Sequence, residues 1–148
     1  MIPYGHQSIN KKDIAEVAKV LEGDWLTQGP HLGSFEVALA KYCGVKYVVC
    51  FSSGTAALHG AYFAAGLGKD DEFITTPLTF VATANAGLYL GAKPVFVDVD
   101  RNGNLDIEEV KQKITTKTKL IVPVDYAGNP VDMDQFMKLA KEKNLKVI

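Results

Sequence analysis

Near the middle of the chain stands the segment Glu72-Phe73-Ile74-Thr75-Thr76-Pro77-Leu78-Thr79-Phe80-Val81-Ala82-Thr83. Residues 73–76 are apolar or β-branched and predict a strand, which Pro77 stops because proline cannot donate a ladder hydrogen bond. From Phe80 to Leu90 small residues predominate, and this composition predicts a tightly packed helix. The segment is therefore one strand–helix unit.

The same alternation continues on both sides of this unit. Strands are predicted at residues 46–51, 94–99, 120–124 and 146–148, and helices at residues 55–65, 106–114 and 131–142. Repeated strand–helix units of this length indicate an α/β fold, in which a mainly parallel sheet is covered by helices on both faces.

Two more helices are predicted ahead of these units. Asn10 can cap a helix that ends at Gly23, residues 24–33 lack periodicity and predict a loop, and residues 34–42 predict a second helix. We therefore divide the chain into an N-terminal helix with its loop (residues 1–33) and a larger domain (residues 34–148). A strand that begins at Lys146 would be central, so we expect the chain to be a fragment truncated within that strand.

Composition excludes several classes of function. The chain has 148 residues, 47% of them hydrophobic, and a formal net charge of -1 with its basic residues scattered. This argues against a nucleic-acid partner. No apolar run approaches the roughly 18 residues of a membrane span, and no signal peptide is evident, so we expect a cytoplasmic protein. The spacing of Cys43 and Cys50 fits no metal pair, and we expect two buried thiols.

The first candidate site is the turn Ser53-Gly54-Thr55-Ala56, which leads from a predicted strand into a helix. Free N–H groups at a helix start, together with the positive end of the helix dipole, form a phosphate site. A plain helix cap with a turn glycine explains the same residues equally well. Neither the Walker pattern nor G-x-G-x-x-G occurs in the chain, so both common nucleotide fingerprints are absent.

Three other segments carry candidate residues. Phe80 could stack on a flat heterocycle, although core packing is the simpler reading of this residue taken alone. Asp125 follows the strand at 120–124 and is either a solvated turn residue or faces a ligand. The loop that contains Trp25, Leu26 and Thr27 is either a lid packed on the helices or a wall of a substrate pocket.

The order and spacing of these motifs resemble the nucleotide-sugar aminotransferase family (the DegT/StrS group) of fold-type I pyridoxal-phosphate (PLP) enzymes. The resemblance covers essentially the whole chain. The matching segments are Trp25-Leu26-Thr27-Gln28-Gly29, Ser53-Gly54-Thr55-Ala56-Ala57-Leu58, Thr76-Pro77-Leu78-Thr79-Phe80-Val81-Ala82-Thr83, Pro94-Val95-Phe96-Val97-Asp98, Asp125-Tyr126-Ala127-Gly128 and Val131-Asp132-Met133.

The resemblance implies roles for the candidate residues. It implies that the turn from Ser53 through Gly54 holds the PLP phosphate, chiefly by the backbone N–H groups of Thr55 and Ala56. It implies that Phe80 stacks on the pyridine ring. The residues expected to line the pocket for the sugar nucleotide are Tyr4, Trp25, Leu26, Thr27 and Asp125. Many relatives have histidine at the position of Asp125.

The resemblance also implies a reaction. An amino acid, expected to be glutamate, gives its amino group to PLP, which passes it to the C4 ketone of a UDP- or dTDP-linked 4-keto-6-deoxy sugar. The sequences of the motifs around Leu26 and Asp125 most resemble those of the enzymes of pseudaminic-acid and related surface-polysaccharide synthesis. Members of the family are homodimers, so we expect the parent protein to be one.

The parts of the family's machinery that act on PLP are not visible in the chain. The resemblance implies that the carboxylate pairing with the pyridine nitrogen and the lysine binding the cofactor covalently both lie beyond Ile148. We therefore expect the 148-residue chain alone to be inactive. One alternative is a non-catalytic regulatory or sugar-nucleotide-binding module. Another is a Rossmann-type oxidoreductase, although the absence of G-x-G-x-x-G argues against it.

Overall fold

The computed structural model describes residues 5–148. The chain divides into two compact units, the first ending at Cys50 and the second spanning Phe51–Ile148. The division expected at residue 33 stays a prediction. No helix in the described part of the chain is long and apolar enough to cross a membrane.

The first unit contains two helices, α1 (Lys11–Leu21) and α2 (Pro30–Cys43). A capping box begins α1: the Asn10 side chain accepts from the N–H groups of Lys12 and Asp13, and the Asp13 carboxylate accepts from the Asn10 N–H at 2.8 Å. The second helix starts four residues earlier than predicted, because Pro30 occupies its first position, where a missing N–H costs nothing.

The predicted strand at residues 46–51 is absent from the structure. Tyr47 and Val49 are 75% and 69% exposed, and the Cys50 N–H donates to the Glu36 carboxylate at 2.9 Å instead of to a neighbouring strand. An apolar run becomes a strand only where another strand completes its ladder. The prediction of two buried thiols is also wrong: Cys43 is exposed because nothing in its unit covers the end of α2, and Cys50 is only partly buried.

The second unit is built on a four-stranded sheet. Its strands are β1 (Glu72–Thr75), β2 (Lys93–Phe96), β3 (Thr118–Ile121) and β4 (Lys146–Val147), in the order β2-β1-β3-β4. All three pairings are parallel, and Ile74 stands opposite both Val95 and Ile121. The helices are α3 (Gly54–Ala64), α4 (Ala82–Leu88), α5 (Ile107–Lys113) and α6 (Met133–Lys143).

Helices cover both faces of this sheet. Successive strand residues point to opposite faces, so Phe73 and Ile74 belong to different cores. Phe73 packs with Tyr62 of α3 and Ala86 of α4. Ile74 packs in a separate cluster with residues of α5 and α6, among them Val110, Phe136 and Leu139. The predicted α/β architecture, a parallel sheet between two helical layers, is confirmed.

Candidate cofactor site

The turns that follow β1, β2 and β3 lie at one edge of the sheet, because the carboxyl ends of parallel strands share an edge. Ligands of open α/β sheets bind at this edge. The segment after β1 leads through residues 76–81 into α4, and the segment after β3 leads through a 3₁₀ turn, Tyr126–Gly128, toward α6. Phe80 and Asp125 stand on these two segments.

Ser53 is the N-cap of α3 in an extended conformation, with φ -161° and ψ 162°. Its hydroxyl accepts from the Ala56 N–H at 3.2 Å, and its carbonyl accepts from the Ala57 N–H at 3.0 Å. The Ala56 N–H, expected to hold a phosphate together with that of Thr55, is thus bonded within the cap. Within the described part of the chain, the N–H groups of Gly54 and Thr55 have no acceptor. The helix cap and the free anion-binding donors therefore coexist at this turn.

Phe80 is not a core residue. Its side chain is 75% exposed, which excludes simple packing as the reason for an aromatic residue at this position. It stands just before α4, where the Thr83 N–H donates to the Phe80 carbonyl at 3.0 Å and closes the first turn. One face of the ring is consequently available to a ligand at the carboxyl edge of the sheet.

One cavity joins the start of α3 to Phe80. Its volume is about 360 Å³, and its lining residues are Gly54, Thr55, Leu58, Phe80, Ala82 and Thr83. Two candidate features that lie 25 residues or more apart in the sequence thus meet in one place. A helix N-terminus, an aromatic face and small apolar walls suit a flat heterocycle that carries a phosphate.

A hydrogen-bond network adjoins this cavity through Thr83, one of its lining residues. The Tyr62 hydroxyl donates to the Thr83 carbonyl at 3.0 Å, and the Thr79 and Thr83 hydroxyls are 2.9 Å apart. Burial raises the pKa of Tyr62 to about 12, so its hydroxyl keeps its proton at physiological pH. Sequence reasoning missed these three residues. The available signals were a tyrosine within a small-residue helix and two threonines spaced four apart.

Asp125 closes a turn in the structure. Its carboxylate accepts from the Val131 N–H at 3.0 Å, its residue is exposed, and Ala127 within the turn has φ +53°. It does not belong to the set of residues that lines the cavity beside Phe80. A role of Asp125 toward a substrate stays a prediction.

The remaining candidates lie in the first unit or outside the described residues. Trp25 and Leu26 are 64% and 65% exposed, and Thr27 follows them in the same exposed loop. Gly29 packs against the Trp25 backbone and Cβ, so the loop folds back on itself. Tyr4 lies outside the described residues. The substrate roles of these four residues stay predictions.

A helix-covered parallel sheet with a helix start and an aromatic residue at its carboxyl edge is the arrangement expected of the large domain of a fold-type I PLP enzyme. The sequence profile of the DegT/DnrJ/EryC1/StrS aminotransferase family matches residues 7–148. The chain belongs to this family.

Individual relatives agree with this assignment. The chain is 43% identical over 151 residues to the UDP-4-amino-4,6-dideoxy-N-acetyl-beta-L-altrosamine transaminase of Campylobacter jejuni, covering 100% of this chain and 40% of the relative. It resembles the solved structure of Helicobacter pylori PseC, an aminotransferase of pseudaminic acid biosynthesis, with a TM-score of 0.92 and 39% identity over 98% of this chain and 40% of that one.

A third similarity concerns a structure with its cofactor. NtdA of Bacillus subtilis, solved with bound PMP (pyridoxamine phosphate, the amine form of PLP), is 36% identical with a TM-score of 0.87, over 90% of this chain and 31% of that chain. The chain spans about two fifths of the length of the curated relatives it matches, between 38% and 40%.

Proposed function

We propose that the protein to which this chain belongs is a PLP-dependent aminotransferase of nucleotide-linked sugars, and that residues 53–56 and Phe80 hold its cofactor. The observation that carries the proposal is the cavity between the start of α3 and Phe80. Family membership and the PMP-bound relative support the same cofactor.

The residues of the cavity fit PLP in three respects. The free N–H groups of Gly54 and Thr55 suit a phosphate dianion, and the dipole of α3 adds attraction worth about 0.3–1 kcal/mol at exposed sites. The exposed ring of Phe80 offers a stacking surface. Leu58 and Ala82 supply apolar walls, which exclude water from one side of a bound heterocycle.

When bound, PLP supplies the electron sink that amino transfer requires. The residues of this chain would bind and orient it. The N–H groups of Gly54 and Thr55 would hold the phosphate, the Ser53 hydroxyl would add a donor there, and Phe80 would fix the plane of the ring. None of the six cavity residues is a lysine or a carboxylate. Because the chain spans about two fifths of the length of its curated relatives, we infer that groups outside residues 1–148 complete the site and that these residues alone do not transaminate.

The proposed substrate is a UDP- or dTDP-linked 4-keto-6-deoxy sugar, which accepts an amino group at C4 from an amino acid such as glutamate. The C. jejuni relative is named for a UDP-linked 4-amino-4,6-dideoxy sugar, and this supports a 4-amino product. In this proposal Tyr4, Trp25, Leu26, Thr27 and Asp125 contact the sugar nucleotide, and the active protein is a homodimer that synthesises surface polysaccharide precursors.

The test is a coupled assay on the full-length protein. With PLP, glutamate and a UDP-4-keto-6-deoxy-N-acetylhexosamine, we expect stoichiometric 2-oxoglutarate and 4-amino sugar. Failure to bind PLP would overturn the proposal, and binding without turnover on either UDP- or dTDP-linked ketones would remove the substrate assignment. Residues 1–148 expressed alone serve as the inactive comparison, and turnover by them would contradict the inference of an incomplete site.

A further inference from the structure

Tyr62 does not line the cofactor cavity, but its hydroxyl is bonded to Thr83, which does. The Tyr62 side chain is fully buried, and its ring packs against Phe73 of β1 with a centroid distance of 5.5 Å. The apolar surroundings would favour phenylalanine at this position, since burying a hydroxyl is costly unless it is hydrogen-bonded. The hydroxyl does have a partner, the Thr83 carbonyl at 3.0 Å, in the first turn of α4.

Thr83 connects this hydrogen bond to Phe80. The Thr83 N–H donates to the Phe80 carbonyl at 3.0 Å, and the Thr83 hydroxyl lies 2.9 Å from that of Thr79. Thr83 is therefore bonded to Phe80 itself and to the residue before it. Thr83 is only 7% exposed, so water does not compete strongly for these bonds.

The position of the Phe80 ring depends on this backbone segment. Because the ring is 75% exposed, few contacts around it can hold it. Its direction is set by the backbone of residues 79–83, whose attachment to α3 includes the Tyr62 hydroxyl. The same helix α3 carries Gly54 and Thr55 at its start.

We propose that Tyr62 is a positioning residue of the cofactor site: its hydroxyl fixes Phe80, which stands just before α4, relative to the phosphate-binding start of α3. This inference rests on the proposed function, because it concerns PLP. A ligand that contacts both the helix start and Phe80 senses their separation. A ligand that contacts the helix start alone does not.

The decisive variant is Tyr62→Phe in the full-length protein, with Tyr89→Phe as the matched control. Tyr89 lies at the end of α4 and is 60% exposed. Tyr62→Phe removes one hydrogen bond and keeps the ring. We expect PLP affinity to fall about fivefold, which corresponds to the loss of one hydrogen bond of about 1 kcal/mol. We also expect the visible circular dichroism of bound PLP to change. Tyr89→Phe should match the parent protein in both readouts.

Competition by inorganic phosphate distinguishes a misplaced Phe80 from a general disruption of the cofactor site. The ability of phosphate to compete with PLP should be unchanged in Tyr62→Phe, because phosphate contacts only the start of α3. Equal losses of PLP and phosphate affinity would overturn the inference in favour of a disordered α3. So would a Tyr62→Phe protein whose PLP affinity and circular dichroism equal those of the parent.

Two further outcomes need a separate interpretation. If the parent protein binds no PLP, the proposed function fails and this inference fails with it, whereas a parent that binds PLP tests Tyr62 separately. If Tyr62→Phe does not fold, Thr79→Val decides, since it breaks the bond between the two threonine hydroxyls and leaves Tyr62 in place. A smaller loss of PLP affinity with unchanged phosphate competition supports the inference, and no change overturns it.

Discussion

Gly87 of α4 lies directly against the ring of Phe73 in β1, and a methyl group at position 87 would overlap the ring carbons. Both residues are buried, and α4 also contributes Ala82 and Thr83 to the cofactor cavity. The absence of a side chain at residue 87 therefore sets how closely α4 approaches the sheet.

We expect Gly87→Ala to lower the free energy of unfolding by about 1–3 kcal/mol, because overpacking a buried contact displaces side chains or backbone. Urea denaturation followed by circular dichroism measures this change. The matched control is Gly33→Ala, at a helical position of α2 where an added Cβ meets nothing within 4 Å. There alanine should raise helix stability by roughly 0.5–1 kcal/mol. Equal stability of Gly87→Ala and the parent would show that α4 does not approach so closely.

Phe80→Ala should weaken PLP binding with little effect on folding. The ring is 75% exposed, so its removal deletes few internal contacts. Loss of aromatic stacking worth about 0.5–1.5 kcal/mol corresponds to roughly a two- to tenfold lower affinity. Fluorescence titration with PLP measures the affinity, and urea denaturation measures the stability.

The control for this variant is Phe73→Ala, which removes a fully buried ring. It should cost about 3–5 kcal/mol of folding free energy. If Phe80→Ala destabilised the protein to the same degree, Phe80 would be a packing residue and its proposed place in the cofactor site would be lost.

The strand–helix alternation made much of this fold predictable. The runs that become β1, β2 and β3 are short and bounded by turn residues, so their type follows from local composition. The segment at residues 46–51 has the same composition and is not a strand in the described structure. Whether this segment forms a strand depends on a neighbouring strand that completes its hydrogen-bond ladder, and the local sequence does not show whether such a neighbour exists.

The candidate site was predictable in its parts but not in its assembly. A hydroxyl–glycine turn before a helix is typical of an anion site, and residues 53–56 form such a turn. The contact of Tyr62 with Thr83 spans 21 residues between two helices, and only tertiary packing creates it. The helix α3 consists almost entirely of small and apolar residues, so its sequence neither singles out Tyr62 as buried nor gives a partner for its hydroxyl.

Ser53→Ala should lower both stability and PLP affinity. Its hydroxyl caps α3 through the Ala56 N–H, and removing an N-cap costs about 1 kcal/mol. Because the hydroxyl is also a proposed phosphate donor, we expect about a fivefold loss of PLP affinity. Asp106→Ala is the control, since Asp106 caps α5 through the Glu108 and Glu109 N–H groups. It should lose stability and keep PLP affinity, whereas unchanged PLP binding in Ser53→Ala would remove the serine from the phosphate site.

The turn after β2 contains a carboxylate whose ionisation should make the free energy of unfolding depend on pH. The carboxylate of Asp100 accepts from the N–H of Asn104 at 3.1 Å and from that of Asn102 at 2.8 Å. These bonds, with the Asn104 bond the largest cause, hold the pKa of Asp100 below its ordinary 3.8. A carboxylate whose pKa is lower in the folded state stabilises the fold above the unfolded pKa. That contribution disappears as the pH falls through the folded value.

Asp100→Asn should therefore be less stable than the parent at neutral pH, and the difference should shrink as the pH falls below 3.8. Urea denaturation across a pH series measures both quantities. Glu142→Gln is the control for loss of one carboxylate, since the Glu142 side chain is exposed and forms no hydrogen bond within the described residues. A difference between Asp100→Asn and the parent that stays constant across the acid range would show that the ionised carboxylate does not stabilise the turn. The turn would then owe its stability to Gly103, whose φ of +83° lets the chain return to form the bridge between Val99 and Leu105.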